Sequence, residues 1–81
     1  MAKSRRNRPR TRVQLNKLIG RRIRHERLRR HVTLRTLSGG TGSTTSHLSQ
    51  VELGKNAASI WTLVRIAESL GVHVSALLSD V

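Results

Sequence analysis

Four histidines and four acidic residues are the side chains of this chain that could bind a metal ion or transfer protons. The histidines lack the i, i+4 spacing and the neighbouring carboxylates of a zinc site, so we expect surface or partly packed positions for them. The acids are scattered, whereas acid–base catalysis requires paired carboxylates in a pocket. We therefore predict no catalytic residue, no metal site and no cofactor. The histidines are His25, His31, His47 and His73.

Positive charge is the strongest chemical signal in the chain. Sixteen Lys and Arg residues stand against four acids, which gives a formal net charge of +12. Fourteen of the sixteen lie in residues 1–35, where Glu26 is the single acid, whereas residues 36–81 carry a net charge of −1. This asymmetry favours a polyanionic partner, either nucleic acid or an anionic membrane surface, because solvation alone does not require one sign of charge.

Length and composition limit the fold. A chain of 81 residues suits one small domain, and such a domain buries only about 60% of its unfolded surface, so no enclosed site for a small-molecule effector is expected. The absence of Cys excludes disulfides and thiolate metal sites. No apolar run approaches the roughly 20 residues that span a bilayer, and no apolar segment of a signal peptide follows the basic N-terminus.

The first basic residues lie in a segment without a helical pattern. The stretch "MAKSRRNRPR" has no apolar periodicity and contains Pro9, so residues 1–12 are predicted to form a disordered, flexible arm and residues 13–81 the folded domain. We expect the arm to stay mobile in the free protein and to wrap a polyanion on binding. Its arginines are Arg5, Arg6, Arg8, Arg10 and Arg12.

Helical periodicity runs through the rest of the chain. Apolar residues recur at three- and four-residue spacing, and no segment alternates with period two, so an all-α fold is predicted. The first helix is expected to end near Arg30, and a second to begin around Thr33 and run out in the glycines after Leu37. The clearest helix covers residues 60–70, and a short helix within residues 74–79 follows it.

The stretch "LSGGTGSTTSHLSQ" resembles a flexible linker, but its apolar residues have helical spacing. A helix over residues 44–53 would place Leu48 and Val51 on an inner face and the polar residues on an outer face. Ser43 or Thr44 could cap its start. Two short helices joined by a tight turn that contains Gly form a helix-turn-helix, whose second helix enters the major groove of DNA.

Residues 18 to about 79 resemble the Xre/Cro-type helix-turn-helix domain of phage repressors and bacterial regulators. The resemblance depends on "LSQVELGK" followed by "LVRIAESLGV", because either segment alone would be weak. It implies a five-helix, lambda-repressor-like all-α fold behind the basic arm. Within that pattern, Ser38 occupies the small-residue position where the two helices nearly touch, and Gly42 matches the glycine of the turn.

Several residues depart from the family pattern. Leu34 stands where a Gln is usual, which removes an amide contact to phosphate, and Thr41 and Ser43 stand where apolar residues are usual. Gly39 and Gly40 weaken the second helix. We therefore expect a soft core around the turn and a marginal monomer that gains stability from binding or dimerisation.

Arg27 and Glu52 are expected to form a pair that fixes the recognition helix. The resemblance implies that Arg27, in the first helix, reaches across to Glu52 and keeps guanidinium donors for a phosphate. The alternative is an exposed ion pair, which would contribute less than about 1 kcal/mol.

The outer face of the third helix is expected to read DNA. Gln50 carries the one long amide that can pair bidentately with adenine, whereas hydroxyl groups specify bases weakly. Contacts to phosphate position the protein without reading sequence. The expected base contacts are Thr45, Ser46, Ser49 and Gln50, and the expected phosphate contacts are Arg27, Thr33, Thr44, Lys55 and Asn56.

These features predict a sequence-specific transcriptional regulator that binds double-stranded DNA, a repressor of phage or bacterial type that reads the major groove with the helix over residues 44–53. We expect it in the cytoplasm, associated with the nucleoid. In similar domains the last helix pairs two protomers, so a homodimer through the C-terminal helix region is expected. Three alternatives remain open, namely an antitoxin that autoregulates its operon, an arginine-rich RNA-binding protein and a membrane-active basic peptide. The apolar residues expected to be in surplus at the C-terminal end are Val72, Val74, Leu77, Leu78 and Val81.

Overall fold

The computed structural model describes residues 8–81, so Arg5 and Arg6 of the predicted arm lie outside the described residues. The helices, in chain order, are α1 (Arg12–Arg29), α2 (Leu34–Thr41), α3 (Thr45–Glu52), α4 (Ile60–Leu70) and α5 (Ser75–Leu78). Residues 8–81 contain no strand, and the predicted five-helix, all-α fold is confirmed. Within this range none of the helices combines the length and the apolarity that crossing a bilayer requires.

Hydroxyl side chains start the first four helices. The side-chain oxygens of Thr11, Thr33, Thr44 and Ser59 each accept a hydrogen bond from the backbone N–H three residues further on, which satisfies one of the free donors of a helix start. Because Thr11 is the N-cap of α1, Arg12 is the first residue of the helix. The prediction that Arg12 belongs to the flexible arm is therefore wrong.

The second helix continues beyond the glycines at which it was predicted to run out. It ends at Thr41, and Gly42 follows with a left-handed φ of 77°. Two contacts explain the extension. The Oγ1 of Thr41 donates to the carbonyl of Leu37 at 2.9 Å, and the Nη2 of Arg65 in α4 donates to the carbonyl of Gly40 at 3.1 Å. Packing against α4 therefore overrides the low helix propensity of the glycines.

All five helices contribute side chains to one core. At the C-terminal end, Leu77 is fully buried, and Val72, Val74 and Leu78 pack against the core. The prediction that the domain cannot bury these apolar residues is therefore wrong for four of the five. The fifth, Val81, is 47% exposed and lies on the surface. The buried residues are Ile23, Leu37, Leu48, Val51, Leu63, Ile66, Ala67, Leu70 and Leu77.

Gly20 allows α1 and α3 to approach each other closely. A Cβ atom at Gly20 would lie 2.4 Å from the carbonyl oxygen of Val51 and 2.6 Å from that of Glu52. These are backbone atoms, so no side-chain rotation can relieve the contact. The distance between the first helix and the end of the third is therefore set by the absence of a side chain at one position.

We expect Gly20→Ala to lower the free energy of unfolding by about 1–3 kcal/mol, because the added methyl group would force the two helices apart. Each kcal/mol corresponds to a fall in Tm of about 4–8 °C in a domain of this size. Gly39→Ala is the control, since that helical glycine has no atom within 4 Å of the added Cβ, and it should gain about 0.5–1 kcal/mol. Thermal unfolding of both variants checks this, and a Gly20→Ala protein as stable as the control would contradict the close approach.

Candidate nucleic-acid interface

The turn between α2 and α3 is held by hydroxyl groups. The Oγ of Ser38 donates to the carbonyl of Ser43, and the Oγ1 of Thr41 accepts from the backbone N–H of Ser43 at 3.2 Å. Gly42 supplies the left-handed residue at the corner. Thr41 stands where the resemblance implies an apolar residue, and here its hydroxyl group bonds to the backbone of α2 and of the turn. Ser43, at the other such position, takes part through its backbone N–H and carbonyl groups.

The third helix separates an inner face from an outer one. Leu48 and Val51 are buried in the core, while the predicted base contacts lie on the other sides of the helix. Thr45 and Ser46 are exposed, and Ser49 and Gln50 are half-buried. The helix therefore presents three hydroxyl groups and one amide away from the core, next to the turn.

Arg27 of α1 and Glu52 at the end of α3 form a bidentate ion pair. The Nε of Arg27 donates to Oε2 of Glu52 at 2.7 Å, and its Nη2 donates to Oε1 at 3.0 Å. Both residues are buried, with 7% and 6% of their surfaces exposed. The Nη1 of Arg27 also donates to the carbonyl of Val32, at 3.0 Å, in the loop before α2. One guanidinium therefore joins α1, the loop before α2 and the end of α3.

The pair also fixes the charge state of Arg27. The hydrogen bond to Glu52 raises the pKa of the Arg27 guanidinium, although burial acts to lower it. Because this pKa is raised, the buried guanidinium stays charged at neutral pH, and its contribution to stability would be lost only as the pH rises through the raised value. With so little exposed surface, Arg27 acts on α3, and the phosphate contact expected of it stays a prediction.

The other predicted phosphate contacts lie on the surface around the helix-turn-helix. Thr33 and Thr44 are exposed at the starts of α2 and α3, and Lys55 and Asn56 are exposed in the loop after α3. The arginines of the predicted arm that the structure describes, Arg8, Arg10 and Arg12, are exposed as well.

Two residues that position the interface were missed by sequence reasoning. Gly20 lies inside the helical pattern of α1, and an isolated Gly in such a pattern can indicate that another backbone comes close. Arg65 donates a hydrogen bond to the carbonyl of Gly40, 25 positions away in the chain. No local sequence pattern predicts a contact over that separation.

A model of the Helix-turn-helix family HTH_3 matches residues 23–77 of the chain. The chain belongs to this family. Its members include DNA-binding regulators of transcription, and this HTH_3 chain is a DNA-binding transcriptional regulator and not an enzyme. The resemblance recognised in the sequence is thereby confirmed. Among curated proteins, none matches this chain.

Solved structures of similar proteins share the fold of this HTH_3 chain. The clp gene regulator ClgR from Corynebacterium glutamicum is 29% identical with a TM-score of 0.78, and the match covers 82% of this chain and 70% of ClgR. An HTH_3 family transcriptional regulator from Vibrio cholerae is 28% identical with a TM-score of 0.79, over 86% of this chain and 39% of that one. The restriction-modification controller protein C.AhdI from Aeromonas hydrophila, 24% identical with a TM-score of 0.74 over 76% of this chain and 94% of its own, supports the fold alone.

We expect Glu52→Ala to lower the free energy of unfolding by about 3–5 kcal/mol, because it leaves the buried Arg27 charge without its partner. Hydrogen exchange should also show faster opening of α3 in the absence of DNA. The control is Glu68→Ala, which breaks an exposed pair with Arg65 and should cost less than about 1 kcal/mol. Equal melting temperatures of the two variants would show that the Arg27–Glu52 pair does not hold the third helix.

Proposed function

We propose that this protein is a sequence-specific repressor that reads the major groove of double-stranded DNA with α3. One observation carries the proposal, namely that the polar outer face of α3 lies free of the core while the end of the same helix is fixed by a buried ion pair. A short helix held in this way presents its side chains in a fixed orientation, as base recognition requires. Occupation of an operator would then exclude other proteins from the same duplex.

Gln50 is the main base reader in this proposal. Its amide can donate to and accept from adenine at once, and such a bidentate pair contributes about 1–3 kcal/mol of discrimination. Gln50 is half-buried on α3, which restricts its side chain and favours one orientation. Thr45, Ser46 and Ser49 would add hydroxyl contacts of low selectivity, because a hydroxyl group both donates and accepts.

Phosphate contacts would position α3 in the groove. Thr33 and Thr44 lie at the starts of α2 and α3, where free backbone N–H groups and the helix dipole favour an anion. Lys55 and Asn56 lie beyond the end of α3 and would contact the backbone on that side. The arginines of the N-terminal arm would add contacts that depend on salt and not on sequence.

We expect Gln50→Ala to relax the preference at one base pair in each half-site while leaving non-specific binding nearly intact. Selection from a random pool of duplexes with the purified full chain measures the preference at every position. Gln14→Ala, which changes an exposed glutamine near the start of α1, is the control and should reproduce the wild-type preferences. Unchanged selection by the Gln50 variant would remove the residue from the interface, and selection of RNA over duplex DNA would contradict the proposed function.

We further propose that the repressor binds as a homodimer through its C-terminal end. Ile60, 70% exposed, and Val81 lie there beside an apolar cleft of about 270 Å³, which the free monomer leaves in contact with solvent. Leu15, Ala58 and Leu78 also line this cleft. A two-fold axis at this end would present two copies of α3 to half-sites about 34 Å apart.

Light scattering should therefore show a mass that rises from monomer to dimer with concentration. Ile60→Asp should shift this equilibrium towards monomer, because a charge would be buried at the interface. Leu28→Asp, which places the same charge on an exposed apolar position of α1, should leave it unchanged. A wild-type protein that stays monomeric at high concentration and binds one copy per operator would refute the dimer.

A further inference from the structure

Three basic residues of α1 form a row along the helix, and none of them is among the predicted DNA contacts. Lys17, Arg21 and Arg24 are four and three residues apart, so they lie on the same side of the helix, and all three are exposed. At a rise of 1.5 Å per residue, the row is about 10 Å long. We call these three residues the basic stripe.

The basic stripe has almost no negative charge to balance it. Within residues 8–81, Lys17 and Arg21 take part in none of the ion pairs. Arg24 approaches Oε1 of Glu52 at 3.8 Å, but that carboxylate already accepts two hydrogen bonds from Arg27. Like charges at this spacing repel each other along a helix, so a bound polyanion would relieve a repulsion that the free protein carries.

The remaining arginines at the C-terminal half of α1 are occupied by contacts within the protein. Arg22 donates to the backbone carbonyls of Leu77 and Ser79 at the end of α5. Arg29 and Arg30 both approach the carboxylate of Glu26, at 4.0 and 3.3 Å. Lys17 and Arg21 are thus distinguished from these arginines because neither takes part in an ion pair within residues 8–81.

The basic stripe lies beside the C-terminal end of the recognition helix. A Cβ atom at Gly54 would lie 2.6 Å from Cγ of Lys17, so Lys17 packs against the residue that precedes Lys55. At the other end of the row, Arg24 reaches Glu52, the last residue of α3. Both ends of the stripe therefore lie close to the C-terminal end of α3, which Lys55 follows two residues after Leu53.

We propose that the basic stripe binds phosphates of the duplex next to the bases that α3 reads, on the side of the C-terminal end of α3. This inference rests on the proposed function, because it takes α3 to be the helix in the major groove. Each DNA strand carries one phosphate per 3.4 Å of helix axis, so a row of about 10 Å can face two or three of them. The protein then covers a longer segment of DNA than the segment whose sequence it reads.

The test compares two double variants of the full chain that each remove two positive charges. Lys17→Gln with Arg21→Gln removes charges of the stripe, and Gln retains the Cγ atom that packs against Gly54. Arg29→Gln with Arg30→Gln removes charges that are paired with Glu26. Circular dichroism melting should show that both variants fold, and the stripe variant should be at least as stable as wild type.

Binding is measured against salt concentration on a duplex that contains the selected operator, on a duplex of equal length and unrelated sequence, and on an RNA hairpin of the same length. On the operator duplex the stripe variant should lose about 1–2 units per protomer of the slope of log affinity against log salt, since each phosphate contact contributes about 0.9. Its preference for the operator over the unrelated duplex should equal that of wild type, because contacts to phosphate carry no sequence information. The paired-charge variant should keep the wild-type slope on both duplexes.

An unchanged slope of the stripe variant on the operator duplex would overturn the inference. A lost preference for the operator would overturn it as well, because the stripe would then position α3 and not only bind phosphates. A loss confined to an RNA hairpin of the same length would assign the surface to RNA. Failure of the proposed function is seen separately, as the absence of sequence preference in the wild-type protein.

Discussion

The buried ion pair between Arg27 and Glu52 is the interaction on which the rest of the interface depends. Burial of two charges is costly, and it is tolerated here because both oxygens of the carboxylate accept from the guanidinium and a third hydrogen bond reaches the carbonyl of Val32. Those three bonds join α1, the loop before α2 and the end of α3. The third helix has only eight residues, and this pair adds to the burial of Leu48 and Val51 in holding its C-terminal end.

Close backbone packing supports the same junction. Gly20 brings α1 against the carbonyl groups at the end of α3, at the position where Glu52 turns towards Arg27. On the other side of the helix-turn-helix, Arg65 fixes the end of α2, and its guanidinium lies 5.9 Å from the ring centre of Trp61. The weak, glycine-containing second helix is thus stabilised by α4 in addition to the hydroxyl contacts of its own sequence.

The basic residues within residues 8–81 fall into two groups, which differ in the partners of their side chains. Arg22 and Arg27 bind carbonyl or carboxylate groups of the same chain and hold helices together. Lys17, Arg21 and Lys55 have no acidic partner within residues 8–81, and all three are exposed. A high net charge is therefore compatible with a compact fold, because part of it is neutralised internally and the rest lies on the surface.

The sequence by itself determined the number and order of the helices, because apolar spacing and hydroxyl caps such as Thr44 and Ser59 act over a few residues. It also indicated the inner face of α3, since helical periodicity separates Leu48 from Gln50. Only the tertiary structure decided that α2 continues past Gly40, that Leu77 is buried and that Lys17 lies beside Gly54. Each of these depends on contacts between residues far apart in the chain, where packing energies outweigh local propensity.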